Sequence, residues 1–127
     1  MSKKIINSKK APAPIGPYSQ AVQSGNLLFL SGQIAIDPST GQLKTASIEE
    51  QAIQVMENLK AVLAEAGLNF SHIIKTTIFL TSMSDFDAVN KVYGSYFTEN
   101  FPARETVAVA GLPKNVNVEI SVIASAD

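Results

Sequence analysis

Arg104 is the one arginine among ten basic residues; the other nine are lysines. It sits in Phe101-Pro102-Ala103-Arg104-Glu105-Thr106, where an apolar, proline-stiffened turn enters a strand. A guanidinium is a planar fork that grips a carboxylate with two parallel hydrogen bonds, which the point charge of a lysine does not do. At a rigid strand entrance Arg104 suits a small acidic ligand. The alternative is an ion pair with Glu99 or Glu105, and spacing alone favours that alternative. Glu119 is the second candidate, on the Asn117/Ser121 face of an apolar strand. Facing solvent, it is an ordinary surface acid, the commoner state for a lone Glu. Covered by a subunit, it holds its proton more tightly and becomes a general acid/base.

Four further residues lie beside apolar segments: Tyr18, Ser31, Gly32 and Asn90. The Tyr18 ring could lid a pocket. Gly32 allows a close backbone approach. Asn90 falls on the apolar side of a helix with residues 86, 89 and 93, so its amide needs a partner. Taken singly, turn chemistry or a satisfied core amide explains each of them.

Other chemistries are excluded by composition. There is no Cys, which removes thiol nucleophiles, disulfides and thiolate metal sites. His72 is the only histidine, too few for a zinc centre or a credible Ser-His-Asp triad, and it reads as a surface residue. No metal site is expected. Ten basic residues balance eleven acids, so no electropositive footprint for nucleic acid stands out. With 46% hydrophobic and 17% charged residues over 127 positions, residues 1–127 read as a single folded domain. No apolar run approaches the roughly 18 residues of a membrane span, and no signal peptide is evident, so the expected location is cytoplasmic.

The elements that must position these residues follow from periodicity. Ala11-Pro12-Ala13-Pro14-Ile15-Gly16-Pro17 is a stiff loop leading into Tyr18-Ser19-Gln20. Lys3, Lys4, Lys9 and Lys10 read as a solvated N-terminal arm. Residues 20–24 and 27–31 form a hairpin around Gly25-Asn26. Ser47-Ile48-Glu49-Glu50 is a capping box, followed by an apolar stripe of Ala52, Val55, Met56, Leu59, Val62, Leu63 and Ala66. Gly67 ends that helix. Ile73 to Leu80 is a buried strand. Ser84 and Asp87 cap a second helix carrying Phe86, Val89, Val92, Tyr93 and Tyr96 or Phe97, which Pro102 bars from continuing. Strands at 106–110 and 116–124 complete the chain.

The order β-β-α-β-α-β-β describes an α+β domain with two helices on one sheet face. The other face must meet water or another subunit. If the last two strands pair as a hairpin, Arg104 falls level with residue 122 and roughly 10 Å from Glu119, at about 3.3 Å per residue.

The ordered set of segments resembles the RidA/YjgF family of reactive-intermediate deaminases over nearly the whole chain. The carrying residues are Gly16-Pro17-Tyr18-Ser19-Gln20-Ala21, Ser31-Gly32-Gln33, Asn58-Leu59 and Ala66-Gly67. Thr77-Ile78-Phe79-Leu80, Phe86, Val89-Asn90 and Tyr93 continue the pattern. Pro102-Ala103-Arg104-Glu105-Thr106-Val107, Leu112-Pro113-Lys114 and Val118-Glu119-Ile120 complete it. The resemblance implies a chorismate-mutase-like fold with a mixed sheet, assembled as a homotrimer with clefts between subunits.

The implied reaction is hydrolysis of 2-imino acids or their enamine tautomers (2-iminobutanoate, 2-iminopropanoate) to 2-oxo acids and ammonia, without a cofactor. Arg104 would clamp the substrate carboxylate and Glu119 would activate water. Gly32 and Thr106 would contact substrate through the main chain, with Tyr18, Ser31 and Asn90 shaping the pocket. Many relatives carry Cys at the place of Thr106; a main-chain contact survives that change, whereas thiol-dependent behaviour does not carry over. The competing readings are a 2-oxo-acid-binding regulatory module acting through a protein partner, and an endoribonuclease. The second is disfavoured by the single His, the single Arg and the acidic pI of about 5.8.

Overall fold

The structure, a computed structural model, describes residues 3–127. Its elements in chain order are β1 (Lys4–Ile6), β2 (Ala21–Ser24), β3 (Leu27–Gln33), α1 (Ile48–Glu65), β4 (Ile73–Leu80), α2 (Phe86–Gly94), β5 (Ala103–Ala108) and β6 (Val118–Ser125). The strands form one sheet in the order β1-β2-β3-β6-β4-β5. All neighbours are antiparallel except β4 and β5, which run parallel. The fold is α+β: two helices on one face of a mixed six-stranded sheet.

Strand β1 corrects the expected N-terminal arm. Lys4 pairs with Gln23 and Ile6 with Ala21, and Ile6 is buried while Lys4 stays exposed. A three-residue edge strand is too short to show a period of two, so Lys4 reads with Lys3, Lys9 and Lys10 as an arm.

The hairpin turns through Gly25-Asn26, with a positive φ at Gly25 only, as in a type II′ turn. At α1 the Ser47 side chain accepts from the Glu50 N–H at 3.0 Å, one half of the expected capping box. At its other end Gly67 adopts a φ of 77°. Leu68 N–H donates to the Leu63 carbonyl and Gly67 N–H to that of Ala64, a complete Schellman motif. The apolar stripe of α1 from Ala52 to Leu63 is buried against Leu28, Ile78, Val118, Ile120 and Val122 of the sheet.

The second helix departs from expectation at both ends. Ser82, not Ser84, is the capping side chain: its oxygen accepts from Ser84 N–H at 3.2 Å, and α2 begins at Phe86 after a single 3-10 turn. The helix stops at Gly94, well before Pro102. The Ser95 hydroxyl takes the Val92 carbonyl at 2.6 Å, and the chain tightens into turns of i→i−3 bonds. Tyr96 and Phe97 are thereby swung out of helical register to pack on Phe70, with ring centroids 5.2 and 5.6 Å apart.

The expected terminal hairpin is not formed. β6 lies between β3 and β4, and β5 pairs with β4 alone, at the edge. The burial of the two strands fits these places in the sheet. Val118, Ile120, Val122 and Ala124 alternate strictly and are all buried, as a central strand requires. Arg104 and Glu105 are polar and exposed, which suits an edge. β5 also starts at Ala103, so Arg104 lies inside the strand rather than before it.

The helix-free face is apolar in part. Ile5, Val22, Phe29 and Ile123 lie side by side across four strands. Phe29 is 44% exposed and Ile5 51% exposed.

Candidate functional site

Glu119 points to the helix-free face, level with Phe79 of β4. Beside it β3 carries a bulge. Leu30 pairs with Val122 but Gln33 pairs with Ile120, so Ser31 and Gly32 together oppose Ser121. The bulge turns Ser31 so that its hydroxyl donates to the Ser19 carbonyl at 2.6 Å. It also brings Gly32 under Glu119: a Cβ on Gly32 would fall on the Glu119 carboxylate. The close approach that Gly32 permits is thus to a side chain of the site itself. Burial pushes the Glu119 carboxyl above its ordinary value of 4.5. No hydrogen bond or ion pair to that carboxylate is found among the described residues.

These residues line a cavity of about 480 Å³, together with Tyr18, Ile15, Ile34, Ile36, Pro113 and Lys114. Its upper wall is the proline-rich loop, and Gln20 holds that loop in place. The Gln20 side chain accepts from Ser8 N–H at 2.6 Å and donates to the carbonyls of Ser8 at 3.0 Å and Pro12 at 2.9 Å. Gln20 is 1% exposed, a buried amide satisfied entirely by backbone. The loop that was expected to position Tyr18-Ser19-Gln20 is itself pinned by Gln20. Lys114, which lines the cavity, and the following Asn115 both take a left-handed backbone with φ of 55° and 57°. Periodicity did not single out Gln20 or Lys114; both stand only within segments that carry the family resemblance.

Arg104 lies elsewhere. It is level with Thr76 of β4, and Thr76 is level with Val122 of β6, which fixes all three on the helix side of the sheet. The expected level was therefore right, but β4 intervenes. Arg104 and Glu119 of one chain are on opposite faces of the sheet and do not share a pocket. Arg104 donates from Nη1 to Asn90 Oδ1, and its Cζ lies 5.3 Å from the Tyr93 ring centroid and 5.7 Å from that of Phe86. Asn90 is exposed rather than a core amide, and Arg104 is the partner its helix position demands.

The ion-pair alternative for Arg104 is not realised. Successive strand residues point to opposite faces, so Glu105 turns away and pairs with Lys75 at 3.7 Å. A shallow cleft of about 450 Å³ opens beside Arg104 between Tyr93, Phe101 and Pro102. Thr106 follows on the same face, and its hydroxyl is buried with no hydrogen-bond partner. The sequence residues thus fall into two groups: Tyr18, Ser31, Gly32 and Glu119 on the open face, and Asn90, Arg104 and Thr106 on the helix side.

His72 is remote from both. Its Nδ1 accepts from Asn69 N–H at 3.0 Å and closes a turn. Among the described residues no group of three or more His, Asp or Glu side chains could hold a metal ion, and no helix is long and apolar enough to cross a membrane.

A two-helix, six-stranded α+β fold with a half-buried carboxylate on one face and a ring-cradled arginine on the other defines the class. Residues 8–126 match the family model described as Endoribonuclease L-PSP, and the chain belongs to this family, the RidA/YjgF family. It is 56% identical over 126 residues to Protein DfrA of Myxococcus xanthus, covering 98% of this chain and 96% of that one. It is 47% identical to the 2-iminobutanoate/2-iminopropanoate deaminase of Mus musculus, covering 96% of this chain and 90% of that one. Among solved structures, E. coli TdcF with bound serine superposes with a TM-score of 0.92 at 44% identity, covering 96% of this chain and 98% of that chain.

Proposed function

We propose that this chain hydrolyses 2-imino acids and their enamine tautomers to 2-oxo acids and ammonia. The observation that carries the reading is the Glu119 carboxylate, partly withdrawn from water over Gly32 and without an internal partner. Buried structural acids are paired; a part-buried, unpaired acid with raised proton affinity is suited to moving a proton. The mouse relative's name supports the same reaction.

In this reading Arg104 holds the substrate carboxylate in its fork. Ionised Glu119 takes a proton from water as the oxygen attacks the imine carbon. It passes that proton to nitrogen to give the carbinolamine, then moves the hydroxyl proton to the amine as the carbonyl forms and the C–N bond breaks, releasing ammonia and the 2-oxo acid. Water supplies the new oxygen and both of its hydrogens leave on nitrogen, so no cofactor enters the balance. Tyr18, Ser31 and Asn90 shape the pocket, and Gly32 and Thr106 offer main-chain contacts. An imine carbon is already electrophilic, so positioning and proton transfer are the whole catalytic demand.

Because the two groups lie on opposite faces of one sheet, a complete site requires a second copy. The Arg104 edge of one subunit would close over the Glu119 cavity of the next, as in the homotrimer the family resemblance implies. The apolar open face around Phe29 supports burial by a neighbouring copy.

The test uses a threonine dehydratase to generate 2-iminobutanoate and semicarbazide to trap what survives. Wild type should reduce the trapped imine, and Arg104→Ala should trap as much as no enzyme. Equal trapping with wild type and no enzyme would sink the proposal. The serine-bound relative favours one other reading, a small-acid-binding module acting through a partner; binding of 2-oxobutanoate without faster imine decay would select it.

A further inference from the structure

Arg104 is held from one side by three residues of α2: Phe86, Asn90 and Tyr93. Their spacing of four and then three puts them on one helix face. Asn90 takes one N–H of the guanidinium. The two rings attract the cation without using up its donors, because a ring face offers charge density rather than a lone pair.

The Tyr93 ring is fixed in turn. Its hydroxyl donates to Thr76 Oγ1 at 2.9 Å in a buried bond. Thr76 is the residue directly beside Arg104 on the neighbouring strand, and both face α2. Tyr93 is 4% exposed and Thr76 fully buried. A phenylalanine would fill the same space. The hydroxyl is a polar group carried into the core, where it needs this one partner. Its bond ties the far end of the ring to the sheet one strand from Arg104, so the ring cannot slide along the helix.

We infer that Tyr93 and Thr76 are positioning residues for Arg104: together they hold the guanidinium with its fork directed at the substrate carboxylate. The inference rests on the reading of Arg104 as the carboxylate clamp. An arginine on an exposed edge strand has several free torsions, and ordering them weakens binding unless the fork is pre-set. Thr76 and Tyr93 touch no substrate; they act through Arg104.

Arg104 is the only arginine, so the protein has a single Nε–Hε side-chain resonance. That signal reports the ring directly, through its ring-current displacement. The experiment compares Tyr93→Phe, Tyr93→Leu, Thr76→Val and Thr76→Ser by this resonance, by calorimetric binding of 2-oxobutanoate, and by imine turnover. Tyr93→Leu should lose the displacement and weaken 2-oxobutanoate roughly tenfold. Tyr93→Phe and Thr76→Val keep the fold volume but free the ring; each should move the resonance and weaken binding about two- to fivefold. Thr76→Ser keeps an acceptor and should recover most of the affinity. In turnover the loss should fall on KM more than on kcat.

Unchanged resonance and affinity in both Tyr93→Phe and Thr76→Val would overturn the inference, as would a loss confined to kcat. If Tyr93→Leu does not fold, these two variants still decide it. Wild type that binds 2-oxobutanoate but leaves the imine trapped ends the deaminase reading and keeps the positioning role. Wild type that hydrolyses the imine, with variants retaining its KM, does the reverse.

Discussion

The Glu119 cavity and the Arg104 cleft stand on opposite faces of one sheet, and they hold charge in opposite ways. Arg104 carries a permanent charge at an edge, with an amide on one nitrogen and two aromatic rings nearby. Its surroundings stabilise the charge and restrict its motion. Glu119 carries a conditional charge at the centre of the sheet, where burial works against ionisation and no donor offsets it. The first arrangement suits binding, since a fixed cation gains from being pre-set. The second suits proton transfer, since a carboxyl near balance between its two forms can both take and give. A single chain offers each half alone.

The sharpest way to break this division is Glu119→Gln. It keeps the size and removes the proton acceptor, so turnover should fall about 10²–10⁴-fold while 2-oxobutanoate binding persists. The sign of the pH dependence follows from the raised pKa. In the proposed mechanism ionised Glu119 is the working form, so wild-type activity should rise with pH through a midpoint above the ordinary 4.5 and fall off below it. The stability effect has the opposite sense. Below the unfolded pKa Glu119 is neutral in both states and contributes nothing. Above the folded pKa it is ionised at a site that resists ionisation, and folding is weakened. Glu119→Gln should therefore be the more heat-stable form at neutral pH and lose that advantage near pH 4. If the variant keeps wild-type turnover and the same acid limb, Glu119 is not the base.

A smaller effect is expected at Gly32, which serves the Glu119 half only. Gly32→Ala places a methyl where the carboxylate now lies. The side chain must swing outward, toward water and away from the bulge. Turnover should drop about tenfold through misplacement, and the acid limb of the pH profile should move back toward the ordinary carboxylate range as burial is relieved. Resonance of the Arg104 side chain should not move. A profile that stays in place in Gly32→Ala would show that the bulge does not set the Glu119 environment.

The two halves also differed in how far they could be read from residues. The β6 alternation and the α1 stripe give burial directly, so the sheet face of Glu119 and the packing of α1 were legible. Strand order was not. Polarity marks β5 as an edge, but nothing in Gly111–Asn115 says that the next strand returns to the sheet interior between β3 and β4. That order sets Arg104 one strand further from Glu119, whereas their opposite faces follow from register: Arg104 is level with Val122, and faces alternate along β6. The helix partner of Arg104 was half legible: the face bearing Phe86, Asn90 and Tyr93 is evident from spacing, yet what it faces depends on strand register. The Gly32 bulge had no periodic signature, because one extra residue shifts the phase without a change in composition.

The smallest expected effect lies at Thr106, two residues beyond Arg104 on β5 and on the same helix-side face. Its hydroxyl is buried and unpartnered among Ile78, Leu80, Phe86 and Val89. Leaving such a group without a bond costs about 1–3 kcal/mol. Thr106→Val replaces the hydroxyl by a methyl of similar size, and should raise stability by about 1 kcal/mol in denaturant melts. For a chain of 127 residues that is a rise in Tm of about 3–5 °C. Thr106→Cys should move in the same direction, since a thiol is the weaker hydrogen-bonding group. The outcome sharpens the contrast between the two faces. A gain means that the wall behind Arg104 is dry and apolar, so the cation depends on the rings and Asn90 alone. A loss of 1 kcal/mol or more means that the hydroxyl is bonded in the assembled protein, and that polar groups reach into the Arg104 half as well.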